Sequence, residues 1–217
     1  MRSNAVALGR VKETYTTGAR QLASRSIVGL TRTRLTPNAL TTGGVALCAL
    51  ASVVVFFEFR SELVFFWLGA VLFVGGSVLD ILDGALARAG GKATPFGAFM
   101  DSTTDRMSEA FMLGAIALVL VRDGSELGVG LAVAAIAGSF LVSYTRARAE
   151  ALGLRGDVGV GSRAERVVVI TAGLVLAPWV PLELALAVLA ATAWITVIQR
   201  VLHVRNQLRT GGETSNV

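Results

Sequence analysis

Long uncharged segments constrain the fold of this chain more than any other feature of its sequence. No charged residue occurs between Leu63 and Leu79, or between Ala110 and Val121. A helical segment of about 20 apolar residues matches the hydrocarbon core of a bilayer, which is ~30 Å thick. Only 16% of the 217 residues are charged, whereas a soluble domain has about 25%. The sequence therefore predicts an all-α integral membrane protein.

Charged or glycine- and proline-containing turns divide the apolar sequence into six predicted transmembrane helices. Thr36, Pro37 and Asn38 form a start signal for the first, because Pro ends a preceding helix and Asn38 or Thr36 can cap the next one. Residues 36–205 would form the membrane domain, and residues 206–217 a polar C-terminal tail. The spans are predicted at residues 39–57, 63–85, 96–121, 127–144, 167–180 and 182–198.

The N-terminal residues 1–35 are polar and basic. From Thr16 to Leu30, apolar residues recur at helical spacing and arginines occupy other positions. This pattern is typical of an amphipathic helix that lies on the membrane surface. We therefore expect an N-terminal tail and an amphipathic interfacial helix before the first span, the alternative being a disordered basic tail.

Basic residues are distributed unevenly between the two ends of the predicted spans. Of the 20 Lys and Arg residues, all except Arg60 and Arg122 lie on the side of the chain termini. Positive charge accumulates on the cytoplasmic side of membrane proteins, so we expect a multi-pass protein of the cell membrane with both termini in the cytoplasm. The net charge of +5 fits anionic membrane lipids and phosphorylated substrates. It does not indicate nucleic acid, since the basic residues flank apolar spans.

Four aspartates stand where the second predicted span ends and the third begins. Asp80 and Asp83 are three residues apart, and Asp101 and Asp105 are four apart, so each pair lies on one helix face. We expect the two helices to form a hairpin with both pairs at its cytoplasmic end. Acids at a membrane edge are costly and are rare without a function. Hard divalent cations prefer carboxylate oxygens, and two such ions suit phosphoryl transfer.

The residues around the aspartates follow a fixed pattern. It resembles the signature of the CDP-alcohol phosphotransferase family, which is D-x-x-D-G-x-x-A-R, eight residues, and G-x-x-x-D-x-x-x-D. The six predicted spans and the interfacial helix are similar to this family as well. Every fixed position of the signature is matched, by Asp80, Asp83, Gly84, Ala87, Arg88, Gly97, Asp101 and Asp105.

The resemblance implies an enzyme that transfers the phosphatidyl-type group of a CDP-linked alcohol to a hydroxyl and releases CMP. Asp105 would be the general base for that hydroxyl, in keeping with the need to remove a proton from an attacking alcohol. Two Mg²⁺ or Mn²⁺ ions would neutralise the diphosphate. The implied metal ligands are Asp80, Asp83, Asp101 and Asp105. The implied CDP-alcohol-binding residues are Asp83, Gly84, Ala87, Arg88, Gly97, Thr36 and Asn38.

Two of these assignments have structural alternatives. Arg88 could be an anchor whose charged end reaches the cytoplasmic interface. Thr36 and Asn38 could act only as a helix start. The sequence leaves both alternatives open.

An arginine-rich polar stretch follows the fourth predicted span. Arginine clusters suit bidentate recognition of phosphate. Residues 143–150, S-Y-T-R-A-R-A-E, and the later pair Glu165-Arg166 resemble segments that contribute to an inositol-phosphate pocket in some family members. Arg146 stands where lysine is common, and Ser162-Arg163 where an acid is expected. The resemblance implies that the acceptor phosphate is bound by Ser143, Arg146, Arg148, Arg166 and Arg200.

The expected reaction is transfer of the phosphatidyl group of CDP-diacylglycerol to inositol 1-phosphate, a phosphorylated polyol. Glycerol 3-phosphate as the acceptor would explain the arginines nearly as well. A membrane cation transporter would need acids deep in several spans, and a non-catalytic scaffold would not need the eight-position pattern. Family members are commonly homodimers, so we expect a homodimer, for which the small residues of spans three and four could provide packing.

Overall fold

The computed structural model describes residues 37–89 and 94–213, and these ranges contain six α-helices and no strand. The predicted all-α fold is therefore confirmed for this part of the chain. The predicted N-terminal tail, the interfacial helix and Thr36 lie outside the described residues, as do the side chains of Asn38, Ala87 and Arg88. The helices are α1 (Pro37–Phe56), α2 (Glu62–Ala89), α3 (Pro95–Arg122), α4 (Glu126–Ala151), α5 (Arg163–Leu176) and α6 (Leu182–Glu213), and a 3₁₀ turn at Glu58–Arg60 follows α1.

Four of the six described helices are long and apolar enough to cross a membrane. In α3, four charged residues stand between positions 101 and 109, which lowers the apolar character of its first half. Helix α5 has 14 residues, and at 1.5 Å per residue it is about 21 Å long. The four candidate spans are Ala39–Phe56, Glu62–Leu86, Glu126–Ala151 and Leu182–Arg209.

Helix α1 packs against both α2 and α3, whereas α2 and α3 contact each other little. A Cβ atom built at Gly44 would lie 2.9 Å from the Gly76 carbonyl oxygen, and one built at Gly76 would lie 2.5 Å from the Cys48 sulfur. Small residues let helix backbones approach closely in this way. The predicted contact between α2 and α3 is thus limited, and α1 supplies the main packing surface for both.

The second half of the fold is built on α6, which packs against α4 and α5. A Cβ atom at Gly138 of α4 would lie 2.9 Å from the Ala193 side chain, and the Trp194 indole donates a hydrogen bond to the Ala134 carbonyl at 3.1 Å. Large apolar side chains of several helices remain exposed, Val71, Leu118, Val133 and Ile195 among them. Such side chains are expected on helices that face lipid.

Polar contacts join three connecting turns at the end of the helices opposite the aspartates. The Arg122 guanidinium contacts the buried Glu58 carboxylate at 2.9 Å, which joins the α3–α4 turn to the α1–α2 turn. The Ser125 hydroxyl donates a hydrogen bond to the Glu183 carboxylate at 2.6 Å, which adds the start of α6. The C-terminal ends of α2, α4 and α6 therefore lie at the other end, where the predicted site residues are found.

Candidate active site

Three of the four predicted aspartates converge between the end of α2 and the start of α3. Carboxylate oxygens of Asp80, Asp101 and Asp105 lie within 4.8 Å of one another. Asp80 is 5% exposed, and the spacing of four residues places Asp101 and Asp105 on the same face of α3. We call these three residues the carboxylate cluster. The arrangement offers several oxygen ligands to one small volume, as a hard divalent cation requires.

Asp83 lies three residues after Asp80 and is also buried, at 3% exposed. It is not one of the three residues that form the cluster; its carboxylate accepts a hydrogen bond from the Thr41 hydroxyl of α1. The close approach of α1 and α2 at Gly44 and Gly76 makes this contact possible. Sequence analysis missed Thr41, because only the packing of the two helices brings it to the site.

Arg163, the first residue of α5, contacts the cluster from the other half of the fold. Its Nη1 atom contacts the Asp80 carboxylate and lies 2.8 Å from Asp105 Oδ1. Burial lowers the pKa of the Arg163 guanidinium, but Asp105 and Asp80 raise it, and the net pKa lies above its ordinary value. The guanidinium therefore supplies a fixed positive charge to the carboxylates.

One feature of the sequence could have indicated this role for Arg163. A cation is unfavourable beside the N-terminus of a helix, because the helix dipole is positive there. An arginine at the first position of α5 therefore needs a nearby acid. The acids that it contacts are 58 and 83 positions earlier in the chain, so sequence spacing alone could not identify them.

Asp105 has the properties of a group that can accept a proton or a cation. Its Oδ1 atom is buried and makes no hydrogen bond to any of the described residues, although it has the ion contact with Arg163. A buried carboxylate oxygen without hydrogen-bond donors is costly, and the guanidinium charge offsets part of this cost. A divalent cation would offset more of it, so the cluster fits a divalent cation.

The predicted nucleotide-binding glycines lie on either side of the cluster. Gly84 follows Asp83 on α2 and is half-buried. Gly97 has a local role at the start of α3, because its N–H donates a hydrogen bond to the capping Thr94 hydroxyl at 3.0 Å. A Cβ atom at Gly97 would lie 3.2 Å from that hydroxyl oxygen. With Thr36 and the side chains of Asn38, Ala87 and Arg88 outside the described residues, the structure shows this predicted region in part.

A cavity of about 230 Å³ adjoins Asp105 and is bounded by α3, α4, α5, α6 and the loop before α5. We call it the arginine cavity. Four of the five predicted acceptor residues line it, namely Ser143, Arg146, Arg166 and Arg200, together with Arg106 and Arg163. The fifth, Arg148, is exposed and is not among its lining residues. The cavity combines five arginines and three acids, an excess of positive charge, with direct access to a cluster carboxylate.

Arg166 is held in this cavity by a buried ion pair that sequence analysis missed. Its Nε and Nη2 atoms donate hydrogen bonds to the two carboxylate oxygens of Glu109 at 2.6 and 3.0 Å, and its Nη1 donates to the Gly161 carbonyl at 2.8 Å. The Ser139 hydroxyl donates to Glu109 at 3.0 Å. A planar, bidentate contact of this kind fixes the orientation of the guanidinium.

The loop between α4 and α5 reaches the cavity because it is bound to α6. At Gly159 the backbone has a φ of +123°, and a Cβ atom there would lie 2.3 Å from the Thr196 side chain. The Gly161 N–H donates a hydrogen bond to the Thr196 hydroxyl at 2.9 Å. Arg200 donates to the Val158 carbonyl at 2.9 Å. These contacts hold the loop against α6, so that the loop forms one wall of the cavity.

A second, larger cavity of about 810 Å³ opens between α3 and α4. It shares four lining residues with the arginine cavity, namely Asp105, Arg106, Ser143 and Arg146. Apolar and aromatic side chains line it as well, including those of Phe99 and Phe140. This second cavity, the α3–α4 groove, thus joins apolar surface to the carboxylate cluster.

Comparison with known proteins is consistent with this geometry. The sequence profile of the CDP-alcohol phosphatidyltransferase family matches residues 34–202. The chain belongs to this family, and it is therefore an enzyme, a transferase of phospholipid biosynthesis with membrane-spanning helices. The family and the enzyme class predicted from the aspartate signature are confirmed, and the cation-transporter and scaffold alternatives are not supported.

Two relatives with known names show which members of the family this chain is similar to. The chain is 39% identical to the archaetidylinositol phosphate synthase of Methanothermobacter thermautotrophicus over 145 residues, which cover 65% of this chain and 71% of that protein. It is 35% identical to the phosphatidylinositol phosphate synthase of Mycobacteroides abscessus over 200 residues, which cover 89% of this chain and 86% of that protein.

Solved structures of the Mycobacterium tuberculosis phosphatidylinositol phosphate synthase have a similar fold. The one with bound CDP-DAG has a TM-score of 0.74 and 30% sequence identity, and the match covers 85% of this chain and 94% of that one. The one in complex with manganese and citrate has a TM-score of 0.72 and 31% identity, and covers 84% and 88% of the two chains.

Proposed function

We propose that this enzyme transfers the phosphatidyl group of CDP-diacylglycerol to a hydroxyl of inositol 1-phosphate, releasing CMP and forming phosphatidylinositol phosphate. The observation that carries this proposal is the arginine cavity, which places Arg146, Arg166 and Arg200 beside Asp105. Arginines suit the acceptor phosphate, and the neighbouring acid suits the acceptor hydroxyl. The names of the relatives support inositol phosphate as the acceptor.

Polar residues other than arginine favour a polyol in the cavity. Ser143, Glu109 and Asp157 also line it. Hydroxyl groups can donate hydrogen bonds to carboxylates and can both donate to and accept from a serine hydroxyl. A ring with several hydroxyls uses such partners better than glycerol 3-phosphate, which has two free hydroxyls. Glycerol 3-phosphate is therefore the alternative acceptor in the test below.

In the proposed reaction Asp105 is the general base. The acceptor phosphate is bound by Ser143 and the cavity arginines, and the acceptor hydroxyl donates its proton to the Asp105 carboxylate. The hydroxyl oxygen then forms a bond to the phosphorus that carries diacylglycerol. The bond from this phosphorus to the oxygen of the second phosphate breaks, and CMP leaves with that oxygen. Positive charge from the arginines stabilises the anionic transition state.

We propose that Asp80, Asp83, Asp101 and Asp105 hold two divalent cations, Mg²⁺ or Mn²⁺. The manganese complex of the M. tuberculosis enzyme supports a divalent metal in this family. Bound ions would neutralise the diphosphate and the developing charge on the leaving group. The chain itself contributes the carboxylates, the buried position of Asp80, and the hydrogen bond that holds Asp83 against α1.

The nucleotide of CDP-diacylglycerol is proposed to lie beside α2, with the acyl chains in the bilayer. Glycine and alanine side chains leave space at the backbone, and a cationic side chain there suits a phosphate. The α3–α4 groove gives a path between apolar surface and the cluster. The proposed nucleotide-binding residues are Asp83, Gly84, Ala87, Arg88, Gly97, Thr36 and Asn38.

We propose further that all six helices cross the membrane and that the site faces the cytoplasm. The apolar half of α3 after Glu109 continues the bilayer-facing surface, and α5 ends in a turn where Trp179 is 65% exposed, as in an interfacial aromatic belt. The positive-inside distribution supports a cytoplasmic site and cytoplasmic termini. A homodimer is also proposed: a Cβ atom at Gly114 or Gly130 would have no neighbour within 4 Å among the described residues.

The direct test is an acceptor comparison with the purified full-length protein in detergent micelles. CDP-diacylglycerol and Mg²⁺ are supplied with inositol 1-phosphate, glycerol 3-phosphate or unphosphorylated inositol, and CMP and the lipid product are both measured. We expect turnover with inositol 1-phosphate, much less with glycerol 3-phosphate, and none with inositol. Turnover with glycerol 3-phosphate alone would replace the proposed acceptor and retain the reaction class.

A further inference from the structure

We infer that Arg163 is an internal counter-ion of the carboxylate cluster, that a divalent cation displaces it, and that the displaced guanidinium then contributes to binding the anionic acceptor. The inference rests on the proposed metal and acceptor sites. It assigns to Arg163 a positioning role that couples the two sites.

The geometry places Arg163 at the boundary between the two sites. Its guanidinium contacts Asp80 and lies 2.8 Å from Asp105, and the same side chain lines the arginine cavity. Its backbone is fixed, because Ser162 and Glu165 form a reciprocal capping box at the start of α5. A change of position is therefore confined to the side chain, which is 25% exposed and has space on the cavity side.

Charge makes the two cations compete for the same oxygens. A guanidinium and a divalent cation cannot both contact the facing oxygens of Asp80 and Asp105, since like charges at such distances repel strongly in a partly buried site. Arg163 offsets part of the negative charge of the cluster before a metal binds. The metal must then displace the guanidinium, and this displacement weakens metal binding.

The displaced guanidinium would add its charge to that of the other arginines in the cavity. Two of these have carboxylate partners, since Arg166 has its charge matched by Glu109 and Arg146 contacts Glu150 at 2.8 Å; the others donate to backbone carbonyls. Arg163 has carboxylate partners only in the cluster among the described ion pairs. Once a metal satisfies those carboxylates, Arg163 adds net positive charge to the cavity. Metal binding and anion binding then promote each other, and the coupling is reciprocal.

The first experiment measures Mn²⁺ binding to the full-length protein in detergent micelles, by electron paramagnetic resonance, without lipid substrate. For Arg163→Gln we expect Mn²⁺ affinity about tenfold higher than in the parent protein, because the competing cation is gone. Arg163→Lys keeps a charge and should remain near the parent value. Arg146→Gln is the matched control, since Arg146 lines the same cavity and contacts Glu150 instead of the cluster; its Mn²⁺ affinity should not change.

The second experiment measures binding of inorganic phosphate by calorimetry, with and without Mg²⁺. In the parent protein Mg²⁺ should increase phosphate affinity, and in Arg163→Gln this increase should shrink. If Arg163→Gln is unstable without metal, the shift of its melting temperature on adding Mn²⁺ gives the same information and should exceed the shift of the parent.

Equal or weaker Mn²⁺ binding by Arg163→Gln would overturn the inference, as would an undiminished effect of Mg²⁺ on phosphate binding. Neither measurement depends on which acceptor the enzyme uses. Failure of inositol 1-phosphate as a substrate would therefore contradict the proposed acceptor while leaving this competition in place.

Discussion

The carboxylate cluster and the arginine cavity adjoin each other at one end of the helices, yet they are assembled differently. The cluster comes from the 26 residues of sequence from Asp80 to Asp105, and two of its three members, Asp101 and Asp105, are set by helical spacing. The cavity takes its arginines from α3, α4, α5 and α6. A site of the first kind is visible as a motif, whereas a site of the second kind exists only when the helices have packed.

The two regions also differ in how their charges are balanced. Within the cavity, Arg166 and Arg146 each have a carboxylate partner, and Arg200 donates to backbone carbonyls. In the cluster, two carboxylates, those of Asp80 and Asp105, share the guanidinium of Arg163. The cavity is thus organised before any ligand binds, while the cluster has a deficit of positive charge. This difference is what the proposed cation site and the proposed acceptor site require.

The largest expected effect tests the cluster. Asp105→Asn removes the proposed base with little change in size, and we expect turnover to fall by about 10³-fold, since general-base catalysis contributes 10²–10⁴-fold. CMP release measures the effect. Asp123→Asn, at the far end of α3, is the control and should keep near-parent turnover. Retained turnover in Asp105→Asn would contradict the assignment of the base.

The next effect tests whether the carboxylate of Glu109 holds Arg166 in place in the arginine cavity. Glu109→Gln leaves Arg166 as a buried charge without its partner, so we expect a loss of about 3–5 kcal/mol in the free energy of unfolding. The KM for the acceptor should rise more than kcat falls, because the guanidinium loses its fixed orientation. Thermal unfolding and steady-state kinetics give the two readouts.

The control for this prediction is Glu150→Gln. Glu150 pairs with Arg146 on the surface, where both side chains are more than half exposed, so its loss should cost at most about 1 kcal/mol. If Glu109→Gln and Glu150→Gln behaved alike, the buried pair would not organise the cavity.

A smaller effect is expected at the loop that closes the cavity. Gly159→Ala introduces a side chain at a φ of +123° and 2.3 Å from Thr196, which should cost about 1–3 kcal/mol. We expect weaker acceptor binding and unchanged Mn²⁺ affinity. Gly153→Ala is the matched variant, because Gly153 also has a positive φ but a Cβ atom there meets nothing within 4 Å. An equal loss of stability and of acceptor binding in both variants would show that backbone strain causes the effect and that the contact with Thr196 does not.

The smallest effect on the reaction is expected at the opposite end of the helices. Arg122→Gln breaks the contact with the buried Glu58 carboxylate, in which the arginine side chain is 33% exposed and that of Glu58 is 7% exposed. We expect a loss of stability of about 1–3 kcal/mol, because a buried carboxylate loses its partner, and unchanged kinetic constants. A marked change in acceptor KM would mean that the two ends are coupled, which nothing in the comparison of cluster and cavity requires.

Much of the site could be predicted because its acidic residues stand at short, regular intervals in the sequence. The aspartate pairs, the all-α fold and the family followed from residues a few positions apart. Arg148 shows a limit of that reasoning. It is two positions from Arg146 on α4, and residues at i and i+2 do not share a helix face, so both could not line the same cavity.

Other parts could not be predicted from spacing. The packing of the helices against one another brings three further residues to the site, namely Thr41, Glu109 and Arg163. The extent of α6 was also unexpected, since it continues to Glu213, into the predicted polar tail. There Gln207 exchanges two hydrogen bonds with the backbone of Arg155, at 3.0 and 2.7 Å, a contact that joins the helix to the loop and that no apolar pattern could reveal.

The sequence by itself determined the helical membrane fold, the family and the spacing of the aspartates, because hydropathy and helical periodicity act over short stretches of chain. Only the tertiary structure decided which charges balance one another. Long-range ion pairs depend on packing, and here packing set Glu109 against Arg166 and Arg163 against the aspartates. The motif therefore specified the acids, and the fold supplied their counter-ions and the cavity beside them.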